Sequence, residues 1–193
     1  MMAGAVLYLL ATITQADPAA TAGWPCSSPP PAPSTLAAAW PGVRGGGDWR
    51  SDATVAALVG DIAPRNVPQE EAVARIRAFA SGNPKRAAAM PRVAAGLVDM
   101  IGSEQQLIVT GIRRFNARQA VLANHIEQGY ARGDKQRDAV PAGNGPDAAE
   151  EQIDWDTRIF EDRQRLLPVM CKLPSMLVER LTVLVAAARE SAR

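Results

Sequence analysis

Beyond residue 50 the apolar positions of this chain recur at intervals of three and four, the spacing that lines side chains along one face of an α-helix. Ser51 or Asp52 is placed to cap a short helix through Ile62, with Val55, Leu58, Val59 and Ile62 on one face and Pro64 closing it. Pro68 at a first-turn position, followed by Gln69, Glu70 and Glu71, opens a second short helix. It turns Val73, Ile76 and Phe79 inward and ends at Gly82 and Pro84.

A much longer pattern follows. From Pro91 to Arg132 a stripe of Leu97, Ile101, Ile108, Ile112, Phe115, Leu122, Ile126 and Tyr130 predicts one helix of about 40 residues, roughly 60 Å long. With Glu104 and Gln119 as its polar members, the stripe averages about 3.67 residues per turn and so stays nearly straight. Gly133 supplies the stop, and Gly133 to Pro146 reads as a polar loop. Asp147 then caps a second long helix reaching about Glu190, with Ile153, Phe160, Leu167, Leu177, Leu181, Leu184 and Val185 as its apolar face. Pro168 and Pro174 each remove a backbone donor, so a kink or a break is expected between Leu167 and Pro174. The fold class is therefore all-α: two long antiparallel helices, the second kinked, with two short helices before them.

The first 50 residues follow a different pattern. Residues 1–16 carry no charge, and Ala3 to Ile13 is an apolar block of signal-peptide length, too short for an ordinary membrane span. Small residues place cleavage after Ala16 or after Ala22, although the first basic residue of the chain is Arg44 and the positive flank is weak. Residues 17–50 form a Pro/Gly/Trp-rich linker or arm, with polyproline II expected at Pro29 to Pro33 and a flexible joint at Gly45-Gly46-Gly47. Either it is a spacer, or Trp24, Trp40 and Trp49 dock on a partner or on the protein's own body. Residues 51–193 are the helical domain.

Composition sharpens this picture. Hydrophobic residues make up 47% of the chain but aromatics only 5%, and 36 of its 193 residues are alanine, which favours closely packed helices over a bulky β core. With 21 basic and 20 acidic residues, the chain lacks the charge of a phosphate-dependent nucleic-acid binder. Within the hairpin the charges separate: five acids between Asp147 and Asp156 stand beside Arg113, Arg114, Arg118 and Arg132 when the arms run antiparallel.

Candidate chemistry is sparse. Phosphate loops, dinucleotide turns, nucleophile elbows and zinc-protease motifs are absent. One histidine, His125, rules out multi-histidine metal sites within one chain, and neither a metal nor any other cofactor is expected. Cys26 and Cys171, 145 positions apart, fit no metal or redox spacing; they are either a disulfide pinning the arm to the body or two free thiols. The densest polar set joins Arg114, Asn116 and Arg118 on one arm to Asp156 and Glu161 on the other, and His125, beside Ile126 near the inner stripe, is either a hydrogen-bonded bundle histidine or a further binding residue of that set. The set reads either as an ion-pair network fixing hairpin register or as an anion-binding groove, with Asp156 and Glu161 as acid and base in a hydrolase.

The expectation is an exported, periplasmic or secreted, non-catalytic protein that binds other proteins or itself through the long hairpin, as a scaffold or chaperone-like envelope factor. The alternatives are a small-molecule or anion-binding module, or hydrolase, at the polar cluster, and a membrane-tethered spacer that retains its N-terminal block.

Overall fold

The computed structural model describes residues 22–44, 46–139 and 148–193. The expected signal peptide, the cap at Asp147 and the loop residues 140–147 lie outside the described residues. In chain order the structure forms α1 (Leu36–Ala39), a 3-10 turn (Trp49–Ser51), α2 (Ala53–Ile62), α3 (Gln69–Ser81), α4 (Arg86–Ala139) and α5 (Ala148–Ser191), with no strand among the described residues.

Local chemistry explains the short helices. Of the two candidate caps, Asp52 takes the role: its Oδ1 accepts from the backbone N–H of Thr54 at 3.2 Å and of Val55 at 3.3 Å. These bonds hold the Asp52 carboxyl below the usual carboxylate range, the Thr54 hydroxyl contributing most and Arg92 adding charge. Pro68 is the cap residue of α3, and Glu70 and Glu71 sit in its first turn at the positive end of the helix dipole. Glu71 also pairs with Arg75 one turn on, at 2.5 Å.

These helices close a core at one end of the hairpin. Val55, Val59 and Ile62 of α2 and Ala72, Ile76 and Ala80 of α3 are buried against Met90, Val93, Leu97 and Ile101 of α4 and Leu177, Leu181, Leu184 and Val185 of α5. Small residues set the spacing. A Cβ at Gly96 would lie 2.8 Å from Val59 Cγ2 and 3.0 Å from the Trp49 ring, so only glycine lets α2 and the 3-10 turn approach α4 this closely.

One charged side chain is buried in this core. Arg180 of α5 donates through Nη2 to the carbonyls of Ile62, at 2.8 Å, and Pro64, at 3.1 Å, and so satisfies the C-terminal end of α2 from across the interface. Burial pushes its pKa down, against the opposite pull of Glu104.

Beyond this core α4 and α5 continue as a two-helix hairpin. The contacts fix its direction: Ile153 sits over Gly129, His125 meets Asp156, and the Gln119 side chain donates to the Phe160 carbonyl at 3.2 Å, so numbers fall on one arm as they rise on the other. A Cβ at Gly129 would stand 2.2 Å from Ile153 Cδ1, which makes this glycine the notch that receives the isoleucine.

Several expectations about the arms need correction. α4 is 54 residues long, about 80 Å, and runs through both of its expected boundaries. It begins five residues before Pro91, because Ala89, Met90 and Pro91 are all buried and their packing outweighs the one hydrogen bond the ring removes. Gly133 keeps a negative φ and lies half-buried against α5, so it costs the helix only its propensity, about 1 kcal/mol relative to alanine, without ending it. On the inner stripe Gln105 replaces Glu104, which turns sideways to pair with Arg65 at 3.3 Å. Tyr130, expected inside, is exposed and hydrogen-bonds Asp154 and Thr157 at 3.3 Å each. α5 is a single helix of 44 residues with Pro168 and Pro174 inside it, so of the expected kink or break the break is absent. Pro174 is buried in the hairpin seam between Leu167, Cys171 and Leu177, and packing on that face carries the helix through.

The Pro-rich segment does not stand free as a spacer. It runs antiparallel to α4 and is tied to it at successive levels. Asn116 Nδ2 donates to the Gly23 carbonyl at 3.2 Å, and Gln105 Nε2 donates to that of Ala32 at 3.3 Å. Leu36 and Trp40 pack on the core, and Trp49 is buried with its Nε1 donating to Asp99 at 3.3 Å. Gly46, at φ +98°, makes the turn between Leu36 and Trp49; a Cβ there would meet Leu36 Cδ2 at 2.7 Å.

Candidate functional site

An α-helix turns about 100° per residue, and that rotation decides which polar residues of the hairpin meet. On α4 the seam passes through Ile112, Phe115, Gln119, Leu122 and Ile126. Arg114 lies two residues from Ile112 and Arg118 one residue from Gln119, so both turn away from α5 and are exposed. Among the described residues neither forms an ion pair, and the expected network from Arg114 and Arg118 to Asp156 and Glu161 is not assembled.

The other expected site residues separate into local contacts. His125 Nε2 lies 3.4 Å from Asp156 Oδ2, and the other Asp156 oxygen accepts from Gln152 at 3.1 Å. Glu161 is exposed on the outer face of α5, while Asp162 pairs with Arg165 along the same helix. Asn116 holds the arm at Gly23. Cys26 and Cys171 are joined by a disulfide, which fastens the tip of that arm to α5. No oxyanion pocket or paired acid and base results, and among the described residues no group of three metal-ligating side chains comes together.

Two open grooves flank the ridge of α4 formed by Asp99, Ser103 and Leu107. One, of about 610 Å³, has Ala63, Pro64 and Met100 in its walls; its charges are already paired, Arg50 with Asp99 at 2.7 Å and Arg65 with Glu104 at 3.3 Å. Arg50 also stacks 4.2 Å over the Trp49 ring, so this constellation anchors the arm and leaves no unpaired charge for a ligand. The other groove, of about 800 Å³, is bordered by Pro33, Leu36 and Val98 and is mostly apolar.

The most prominent feature of the long arms is apolar surface that no other described residue covers. On α5, Trp155, Ile159, Leu166, Val169, Met176 and Val183 are exposed, Leu166, Val169 and Met176 to 57, 63 and 57%. They follow a second stripe with the half-buried Leu173, at spacings of three, four and seven residues, nearly opposite the seam that faces α4. On α4, Leu107 and Val121 are exposed to 73 and 72%. This stripe was open to reading in the residue spacing, but assigning each arm one apolar face passed over it.

Comparison with protein-family models, with curated proteins and with solved structures finds no match to this chain.

Proposed function

We propose that this protein is an exported, non-catalytic helical scaffold that holds proteins along the side of its long hairpin, as a structural or chaperone-like factor of the cell envelope. The exposed apolar stripe of α5 carries this reading. Single exposed apolar residues are ordinary, but a run of them at heptad spacing along one helix face is the pattern of a protein contact. The Cys26–Cys171 disulfide supports an oxidising compartment, and the apolar block at Ala3 to Ile13 supports export. No helix among the described residues is long and apolar enough to cross a membrane, so the stripe is read as a protein-facing surface.

The test places a photo-crosslinking amino acid at Leu166, at Leu107 and, as a polar control on the same helix as Leu166, at Glu161, in protein expressed with its native N-terminus. Protein adducts at Leu166 exceeding those at Glu161, in the envelope fraction, are the expected result. Equal yields at the three positions, or a chain found only in the cytoplasm, would overturn the reading.

A further inference from the structure

The outer stripe of α5 has a self-complementary order. Its exposed or half-exposed positions are Trp155, Ile159, Asp162, Leu166, Val169, Leu173, Met176 and Val183, which with the buried Arg180 between the last two follow alternating steps of four and three, the a/d pattern of a two-stranded coiled coil. We propose, resting on the scaffold reading above, that the partner of this face is a second copy of the chain, bound through α5 in a two-fold antiparallel arrangement. Three observations on the molecule select that occupant.

The first is layer matching. When Leu166 of one copy faces Met176 of the other, Ile159 faces Val183 and Val169 faces Leu173, so each apolar position meets an apolar one. Asp162, the one exposed charge in the stripe, falls opposite position 180, where the Arg180 side chain is turned into the core and leaves the layer open. Sliding the copies by one heptad sets Asp162 against Leu173 or the buried Ala187 instead, placing a carboxylate on an apolar side chain. One register therefore satisfies the stripe.

The second is charge. Residues 148–166 hold six acids and three bases, while residues 167–193 hold four bases and two acids. An antiparallel pair lays the acidic half of each α5 over the basic half of the other; a parallel pair would lay acid on acid. In the matched register Arg165 flanks Glu179 of the other copy, twice by symmetry, while Lys172 faces its own equivalent across the axis. That is the one like-charge contact in the interface.

The third is area. The exposed parts of the apolar stripe residues amount to roughly 600 Å² per copy, at the upper end of the largest patch a monomer shows and near the ~800 Å² per partner of an ordinary stable interface once flanking side chains are added.

Sedimentation of the full-length, disulfide-intact protein tests this directly. The wild type is expected to dimerise reversibly at micromolar concentration, and Leu166→Glu, an exposed change that leaves the helical circular dichroism and melting temperature in place, to weaken dimerisation at least a hundredfold. Arg165→Glu and Glu179→Arg are each expected to weaken it three- to tenfold, and the double variant to recover to within about twofold of wild type. Lys172→Gln should tighten it. A chain that stays monomeric to 100 µM, a dimer indifferent to Leu166→Glu, or charge variants whose losses add instead of cancelling would overturn the proposal. Photo-crosslinks from Leu166 to other envelope proteins in a monomeric chain would overturn self-pairing while supporting the scaffold reading; loss of both would overturn both.

Discussion

The two ends of the hairpin are built from the same pair of helices and are buried to very different degrees. Near the short helices, Val93, Leu97, Ile101 and Leu184 are wholly enclosed, because α2, α3 and the arm add a second layer around α4 and α5. At the far end Phe115, Leu122, Ile126, Phe160 and Leu167 occupy equivalent seam positions and remain half-exposed. Two helices in contact enclose only the centre of the strip between them, here Gln119 and Ile153, and a broad buried cluster requires a third element. The comparison teaches that the fold's stability is concentrated at one end, while the other end offers surface.

The largest expected break in that contrast is a cavity at each end. Leu97→Ala should lower unfolding free energy by about 3 kcal/mol, as for a fully buried leucine, and Ile126→Ala by about 1, since its site already collapses onto solvent. Urea denaturation of the two variants checks the ratio; equal losses would mean the ends are equally packed. Next is Arg180→Ala, which strips both donors from the Ile62 and Pro64 carbonyls and should cost about 2 kcal/mol, within the range for hydrogen bonds to a charged group. Its local signature is faster amide exchange at the end of α2.

A pair of glycines sharpens the comparison further. Gly96→Ala drives a methyl into Val59 and the Trp49 ring, neither of which has room to move, and should destabilise by about 1–2 kcal/mol. Gly129→Ala meets only Ile153, whose neighbours are half-exposed, and the gain in helix propensity of about 1 kcal/mol should leave it near neutral. Thermal melts of both variants measure the difference. The smallest effect is at Asp52. Its folded pKa lies below the unfolded value, so its stabilising share is complete above the ordinary carboxylate pKa and disappears as pH falls through the lowered one. Asp52→Asn should flatten that part of the acid-stability profile, measured against the wild type below pH 5.

Much of the architecture was readable from spacing alone. The two short helices announce themselves by a cap, a first-turn proline and three- and four-residue repeats, and both form where expected. The long arms form as well, but Pro91 and Gly133 do not bound the first of them, and Pro168 and Pro174 do not break the second. Local breakers act on an isolated helix, whereas here burial of Met90, Pro91 and Pro174 on a continuous interface overrides them. The docking of the arm was not readable, since nothing in Pro29 to Pro33 or around Trp49 encodes which groove receives it. The polar cluster failed for a rotational reason. Arg118 comes level with Glu161 and Asp162, but one residue of helical phase turns it outward, while Arg114 stands level with Leu166, about ten residues and so roughly 15 Å along the axis from Asp156, which leaves His125, Gln119 and Tyr130 to make the cross-hairpin contacts.

The disulfide has a topological consequence. By joining Cys26 to Cys171 it closes a covalent ring that contains α1, α2, α3, all of α4 and more than half of α5. A single backbone cut anywhere between α4 and α5 therefore opens the ring without dividing the molecule. The nicked chain should run as one species on a non-reducing gel and as two once thiol is added. In a compartment rich in proteases, such a protein survives its first cleavage in one piece, its two helices still laced together by the arm.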